Sequence, residues 1–168
     1  MKALVVYESF WGNTASVAKA IAGGIGPDVR AVPTDEATPE ALAGVSLLVV
    51  GAPLMAFALA TQQTRQNLSA DKKAPTPADV SHPSMRDWLA SLPKKGPEGA
   101  GRYATFETAF KWSPGSSKGT IAKGLEKAGY RPAAKPQRFR VASGYGPMRE
   151  GEIERARAWG AELARGVS

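Results

Sequence analysis

The sequence predicts an α/β protein: a three-layer α/β/α sandwich around a five-stranded parallel sheet of order 2-1-3-4-5. Three observations predict it. Ala3–Tyr7 and Val45–Gly51 are short apolar runs, and Val45–Gly51 (VSLLVVG) reads as a strand buried on both faces. Val17, Ala18, Ile21, Ala22 and Ile25 then recur at helical spacing behind the first run. Strand and helix signals go on alternating to the end of the chain. The 168 residues suit one core, so a single domain over 1–168 is expected.

The first strand, Ala3–Tyr7, opens into the loop Glu8-Ser9-Phe10-Trp11-Gly12-Asn13-Thr14 and then the helix running to Ile25. Gly23, Gly24 and Gly26 stand at that helix's C-terminal end, where glycine caps helices. Val29–Val32 is the second strand. Thr34–Gly44 is polar, with a brief helical piece opened by Thr38 and Pro39. After the third strand, Ala52–Ala60 is apolar without a strand period, and Thr61–Ser81 is polar and Pro-rich. Such a long excursion is expected to cross the carboxyl edge of the sheet as an extended segment.

Pro83–Leu92 is an amphipathic helix with Met85, Trp88, Leu89 and Leu92 inward, and Arg102–Phe106 is the fourth strand. Glu107–Pro114 is a loop holding Phe110 and Trp112, and Ser116–Ala128 is helical. Gln137–Ala142 is an edge strand, Ser143–Pro147 a turn, and Arg149–Val167 the last helix.

Ligands of such sheets sit at the carboxyl ends of the strands where the order reverses, here between strands 1 and 3. The loops after strands 1, 3 and 4 meet there. The first turn of a helix has unpartnered N–H groups and partial positive charge, which suits a phosphate. Ser9, Asn13 and Thr14 can add donors, and Gly12 lets backbone approach. Each charge-assisted bond contributes about 1.5–3 kcal/mol. The same residues equally suit a plain βα turn with Ser and Thr as helix caps. Neither a P-loop ending nor a G-x-G-x-x-G fingerprint is present. Trp11, Met55, Phe57, Phe110 and Trp112 offer flat or polarisable surface for a planar ring, or else pack in the core. The single histidine, His82, precedes a helix and is expected as a cap or surface residue. No side-chain acid, base or nucleophile stands out as catalytic.

The absence of cysteine excludes disulfides, thiol catalysis and Cys-ligated metals. The N-terminal apolar run is too short for a signal peptide, and no run approaches a membrane helix; a cytoplasmic location is expected. The net charge of +7 is uneven: −2 over residues 1–60, +2 over 61–101 and +7 over 102–168. A basic C-terminal half suits an acidic partner, an anionic membrane surface or nucleic acid, or is simply solvated. No nucleic-acid motif accompanies it, so no specific nucleic acid is expected.

The form S-x-x-G-N-T after the first strand, Ser9 to Thr14, resembles the phosphate loop of flavodoxins, with Trp11 where Thr is usual. VVYESFWGNT, GAPLMAF, RDWLASLP, the FET segment and GEIERARAWGAELA resemble the flavodoxin-domain proteins of actinobacteria, and the resemblance spans nearly the whole chain. It implies a flavodoxin-like fold, FMN as cofactor, and either electron carriage or a small FMN-dependent reductase of the quinone or protoporphyrinogen type. It implies that Ser9, Phe10, Trp11, Gly12, Asn13 and Thr14 hold the phosphate. Pro53, Leu54, Met55, Ala56 and Phe57, with Thr108, Ala109, Phe110, Lys111 and Trp112, would frame the ring.

Two departures bear on the ring. Leu54-Met55 stands where relatives carry Thr-His, and Phe106-Glu107-Thr108-Ala109 stands where they carry an FDTR-like tetrad. Either the ring site is more apolar, with Lys111 offsetting the loss of donors, or flavin binding has weakened. The second case would leave a flavodoxin-fold binding module acting through its basic C-terminal face on an acidic partner. A redox partner protein or small-molecule acceptor is expected, with the chain a monomer or a homodimer.

Overall fold

The computed structural model describes residues 1–95 and 101–166. Among the described residues, six strands and six helices follow in the order β1 (Ala3–Tyr7), α1 (Asn13–Ile25), β2 (Arg30–Pro33), α2 (Pro39–Leu42), β3 (Leu47–Pro53), α3 (Gln62–Ser69), α4 (Met85–Ser91), β4 (Arg102–Ala109), α5 (Ser117–Lys127), β5 (Arg131–Pro132), β6 (Gln137–Arg140) and α6 (Glu152–Gly166). The sheet is parallel, of order β2-β1-β3-β4-β5, with β6 also paired to β4. The expected order holds. The fifth position is filled by two successive segments, because Ala133–Pro136 leaves the sheet between them.

The alternation of side chains along β3 and β4 divides the core. Leu48, Val50, Ala52 and Tyr103 pack with Met85 and Trp88 of α4 and Ile121 and Leu125 of α5. Leu47, Val49, Ala104 and Phe106 pack on the other face with Val17 and Ile21 of α1 and Ala156, Trp159 and Leu163 of α6. Removing a Leu-sized side chain from water contributes about 1.5–3 kcal/mol, so these two clusters dominate cohesion.

Gly23 and Gly24 do not cap α1; Gly26 does, its N–H donating to Ala22 O at 3.1 Å. Gly24 instead lets α6 approach: a Cβ there would lie 2.0 Å from Arg157 O, and one on Gly160 2.2 Å from Ile21 O.

Four expectations need correction. β4 runs to Ala109, so Glu107, Thr108 and Ala109 belong to a strand end and not to a loop. Their backbone pairs with Ala52 and Pro53 on one side and with β6 on the other. Likewise β3 extends to Pro53, and Leu54 N–H donates to Thr108 O at 2.9 Å. The excursion crosses the carboxyl edge but is not wholly extended, since it contains α3, opened by the Thr61 hydroxyl accepting from Thr64 N–H. The last helix begins at Glu152, and the expected end at Val167 lies outside the described residues. Among the described residues no helix is long and apolar enough to cross a membrane.

Candidate functional site

At the carboxyl edge, between β1 and β3, the chain leaves a cavity of about 200 Å³. Ser9, Phe10, Trp11, Asn13 and Thr14 line it from the first loop and helix α1. Pro53, Leu54, Met55 and Ala56 line it from the end of β3, and Thr108, Ala109 and Phe110 from the end of β4. Ser113, Val141 and Gly144 also line it and were not expected from sequence. Four expected residues lie elsewhere. Gly12 faces a neighbouring cleft shared with Asp35 and Asp79. Phe57 and Trp112 are 66% and 84% exposed outside the cavity. Lys111 does not turn inward; its Nζ sits 4.7 Å from the Trp112 ring centroid.

The polar end is built around α1. Helices α2, α3, α4 and α5 are each capped by a Ser or Thr hydroxyl, whereas α1 starts at Gly12 with no side-chain cap. Ser and Thr of the loop therefore do not serve as caps. Gly12 has φ +94, and a Cβ built on it meets nothing within 4 Å, so the space beside it is open. Ser9 Oγ accepts Gly12 N–H at 3.1 Å and keeps its own hydrogen. Thr14 Oγ1 and Thr108 Oγ1 lie 2.8 Å apart, both buried. One hydroxyl donates to the other, and the acceptor's hydrogen stays available. The uncapped N–H groups and spare hydroxyl hydrogens form a donor set suited to an oxyanion.

Trp11 is fixed rather than free. Its Nε1–H donates to Thr76 O at 2.9 Å, and its ring meets Tyr145 edge-on at 4.9 Å. The Tyr145 hydroxyl donates to Asp71 Oδ2 at 2.7 Å, and Asp79 N–H donates to Phe10 O at 2.8 Å. The excursion thus clasps the first loop. Beneath it, Arg65 Nη1 donates to Glu8 Oε2 at 2.5 Å and Nη2 to Val80 O and His82 O. Burial pushes the Glu8 carboxyl above its ordinary value, against the Met85 N–H and Arg65, which pull it down. His82 is 6% exposed, and Ser84 caps α4, so His82 is neither surface residue nor cap.

The apolar end is Leu54, Met55, Ala109, Phe110 and Val141. Met55 and Ala58 exchange two backbone hydrogen bonds around Ala56 (φ +47) and Phe57 (φ +75). This is a two-residue turn that usually takes Asn-Gly, and two non-glycine residues in it hold strain. Ser116 N–H donates to Phe57 O at 3.1 Å, tying the turn to the loop after β4. Beside that loop, Glu107 is buried and paired with Lys118 and Arg138 at 2.7 and 2.8 Å. Burial raises its pKa, but those cations and the Lys118 N–H outweigh it and hold the carboxyl below its ordinary value.

Arg65, His82 and Tyr145 also build the site and carry no local sequence signal. A buried arginine on a polar helix, a lone histidine and a Tyr between glycines each get their role from a distant partner.

No protein-family model and no curated protein matches the sequence. Solved structures do. A flavodoxin from the domain Archaea superposes with a TM-score of 0.67 at 21% identity, covering 99% of each chain. Flavodoxin 2 from Bacillus cereus superposes at 0.67 and 17% identity, covering 98% of this chain and 99% of that one. Rubredoxin oxygen:oxidoreductase from Desulfovibrio gigas matches at 0.58 and 18%, over 99% of this chain and 36% of that chain. The chain has a flavodoxin-like fold.

Proposed function

We propose that this chain is a redox protein that binds FMN at the carboxyl edge of its sheet. The observation that carries the reading is the meeting, at one cavity, of an uncapped helix N-terminus with two apolar strand ends. The flavodoxin-like fold supports it. The α1 N-terminus, Ser9, Asn13 and Thr14 would hold the phosphate, with Gly12 keeping space open beside the loop. Pro53 to Ala56 and Thr108 to Phe110 would frame the ring. The flavin would supply the electron chemistry; the protein supplies binding, orientation and an apolar surrounding.

No titratable side chain lines the cavity among the described residues. That favours electron carriage over a reductase needing its own acid or base. Kinship with the actinobacterial flavodoxin-domain proteins rests on the motifs quoted above. A basic C-terminal half favours an acidic redox partner, although Lys118, Arg138, Arg140 and Arg155 are partly occupied by Glu107 and Glu152.

The test compares FMN with riboflavin, which lacks the phosphate, by fluorescence titration. Two or more charge-assisted bonds at about 1.5–3 kcal/mol each predict FMN binding at least about 100-fold tighter. Equal affinities would contradict the phosphate placement.

A further inference from the structure

We propose that the groove between α4 and α5 is a docking site for an acidic segment of a partner protein, one that carries an aliphatic anchor. The groove has a volume of about 420 Å³ and shares no lining residue with the cavity at the carboxyl edge. The inference therefore goes beyond the FMN reading and does not rest on it.

The floor is apolar. Leu59, Leu89, Leu92 and Ala128 line it. Gly124, in the middle of α5, keeps the space over Leu89 open, since a Cβ there would lie 3.2 Å from Leu89 Cδ1. Apolar surface in a groove favours a side chain that covers it.

The rim is cationic. Arg86 of α4, Lys94 just beyond it, and Lys123 and Lys127 of α5 line the groove, all four exposed, and no acidic residue lines it among the described residues. Arg86 donates to Leu59 O at 2.9 Å. None of the four has a carboxylate partner among the described ion pairs. Each helix has one carboxylate, and both are turned elsewhere. Asp87 lines a separate cleft with Arg65 and Ser84, and Glu126 accepts the Tyr103 hydroxyl at 2.7 Å. Lys118, the remaining cation of α5, is held by Glu107. Four like charges without a counter-charge repel one another, and an anionic partner relieves that repulsion.

The placement of the charges selects the occupant. A small amphiphile with a single head group meets one or two of the cations, and no buried polar side chain lines the groove to recognise it. The Thr120 hydroxyl is already committed to Ser116 O at 3.2 Å. A flat anionic bilayer reaches the rim and not the floor. An acidic segment laid along the groove meets both. Lys123 and Lys127 stand one turn apart, about 6 Å along the axis of α5, and match carboxylates one turn apart on a partner helix. The anchor of that helix then covers Leu89 and Leu92, as helices do in apolar grooves.

The probe is a fluorescein-labelled peptide with Leu and Glu at helical spacing, titrated by fluorescence anisotropy beside an analogue with Ser for Leu. The Leu–Glu peptide should bind saturably, at least about tenfold tighter than the analogue, and weaken as salt rises from about 50 to 200 mM. Lys123→Glu with Lys127→Glu should weaken it at least about tenfold. Lys19→Glu with Arg30→Glu, an equal change of charge on α1 and β2, should stay within about twofold of the native chain. Ala90→Trp, at an exposed position lining the groove, should weaken binding with every cation intact. Should that variant not fold, the Ser analogue on the native chain tests the floor instead.

Absence of saturable binding at about 50 mM salt, equal binding of the Ser analogue, or equal weakening by the two double substitutions would overturn the proposal. Dodecanoate bound in the groove more tightly than the peptide would overturn it in favour of a small amphiphile. Retention on phosphatidylglycerol vesicles that is lost with Lys123→Glu and Lys127→Glu, but not with Ala90→Trp, would assign the rim to a bilayer. A dimer in ultracentrifugation that the same two substitutions dissolve would give the groove to a second copy. FMN titration of the Lys123→Glu and Lys127→Glu chain should match the native one, so failure at the groove leaves the flavin reading standing, and the converse holds.

Discussion

Replacing Arg65 with Met removes the charge that neutralises Glu8 while keeping an unbranched stem. The side chains of Arg65 and Glu8 are 7% and 1% exposed, so solvent screens their pairing little. The substitution deletes a 2.5 Å ion pair and the donors to Val80 O at 3.1 Å and His82 O at 2.5 Å. Breaking a buried pair from one side costs about 3–5 kcal/mol. The pH dependence follows from Glu8. Burial already raises its carboxyl above the ordinary value, and Arg65 is among the groups opposing that rise. Without Arg65 the folded-state value climbs further above the unfolded one. The folded variant then binds a proton more tightly than the unfolded chain, so stability present at low pH is lost as pH rises.

Urea unfolding at about pH 5 and 7 should therefore show a penalty that is larger at the higher pH. Glu8→Gln in the Arg65→Met background should recover at least about 1 kcal/mol at neutral pH, read as a double-mutant cycle. A loss below about 1 kcal/mol that is equal at both pH values would refute the reasoning. Arg65 would then be a solvated surface charge and the excursion would be clasped by something else.

Thr108→Val leaves the Thr14 hydroxyl without its partner and should cost about 1–2 kcal/mol in urea unfolding; an unchanged midpoint would remove the Thr14–Thr108 bond from the account. Glu107→Gln should cost about 2–3 kcal/mol at neutral pH, discounted because Lys118 and Arg138 are each 21% exposed. Because the native Glu107 carboxyl is held down, its stabilisation is present above the unfolded carboxylate range and lost as pH falls through the native value. Acid unfolding of the glutamine variant should accordingly be less steep. Gly12→Ala forces a Cβ onto a φ of +94 and should lower stability by about 1–2 kcal/mol. It should also weaken FMN more than riboflavin, as titration of the same preparation would show.

How much was legible depended on where each residue's partner lies. β1 and β3 were legible because their apolar runs, buried on both sides, need no information from elsewhere. Helix α4 was legible from Met85, Trp88 and Leu89 at helical spacing, although its cap is Ser84. α3 was not, because QQTRQNLS has no apolar stripe and its inward residue is Arg65, whose partner Glu8 is 57 positions away. The last three residues of β4 read as loop because Glu107 is unsuited to a buried strand until Lys118 and Arg138 are beside it. The two-residue β5 is too short for a period to show. The cavity was legible as three converging loops, and twelve of its lining residues were among those expected. What local pattern could not show was direction: Lys111 lies on Trp112, while Val141 and Gly144 line the cavity from the segment after β6.

The most direct test of the central proposal is the visible absorption spectrum of the purified chain, followed by FMN titration of the apo form. The account predicts flavin absorption bands, or tight saturable binding that restores them, with riboflavin bound far more weakly. A colourless chain that leaves FMN fluorescence unchanged would contradict it and leave a flavodoxin-like fold without its flavin.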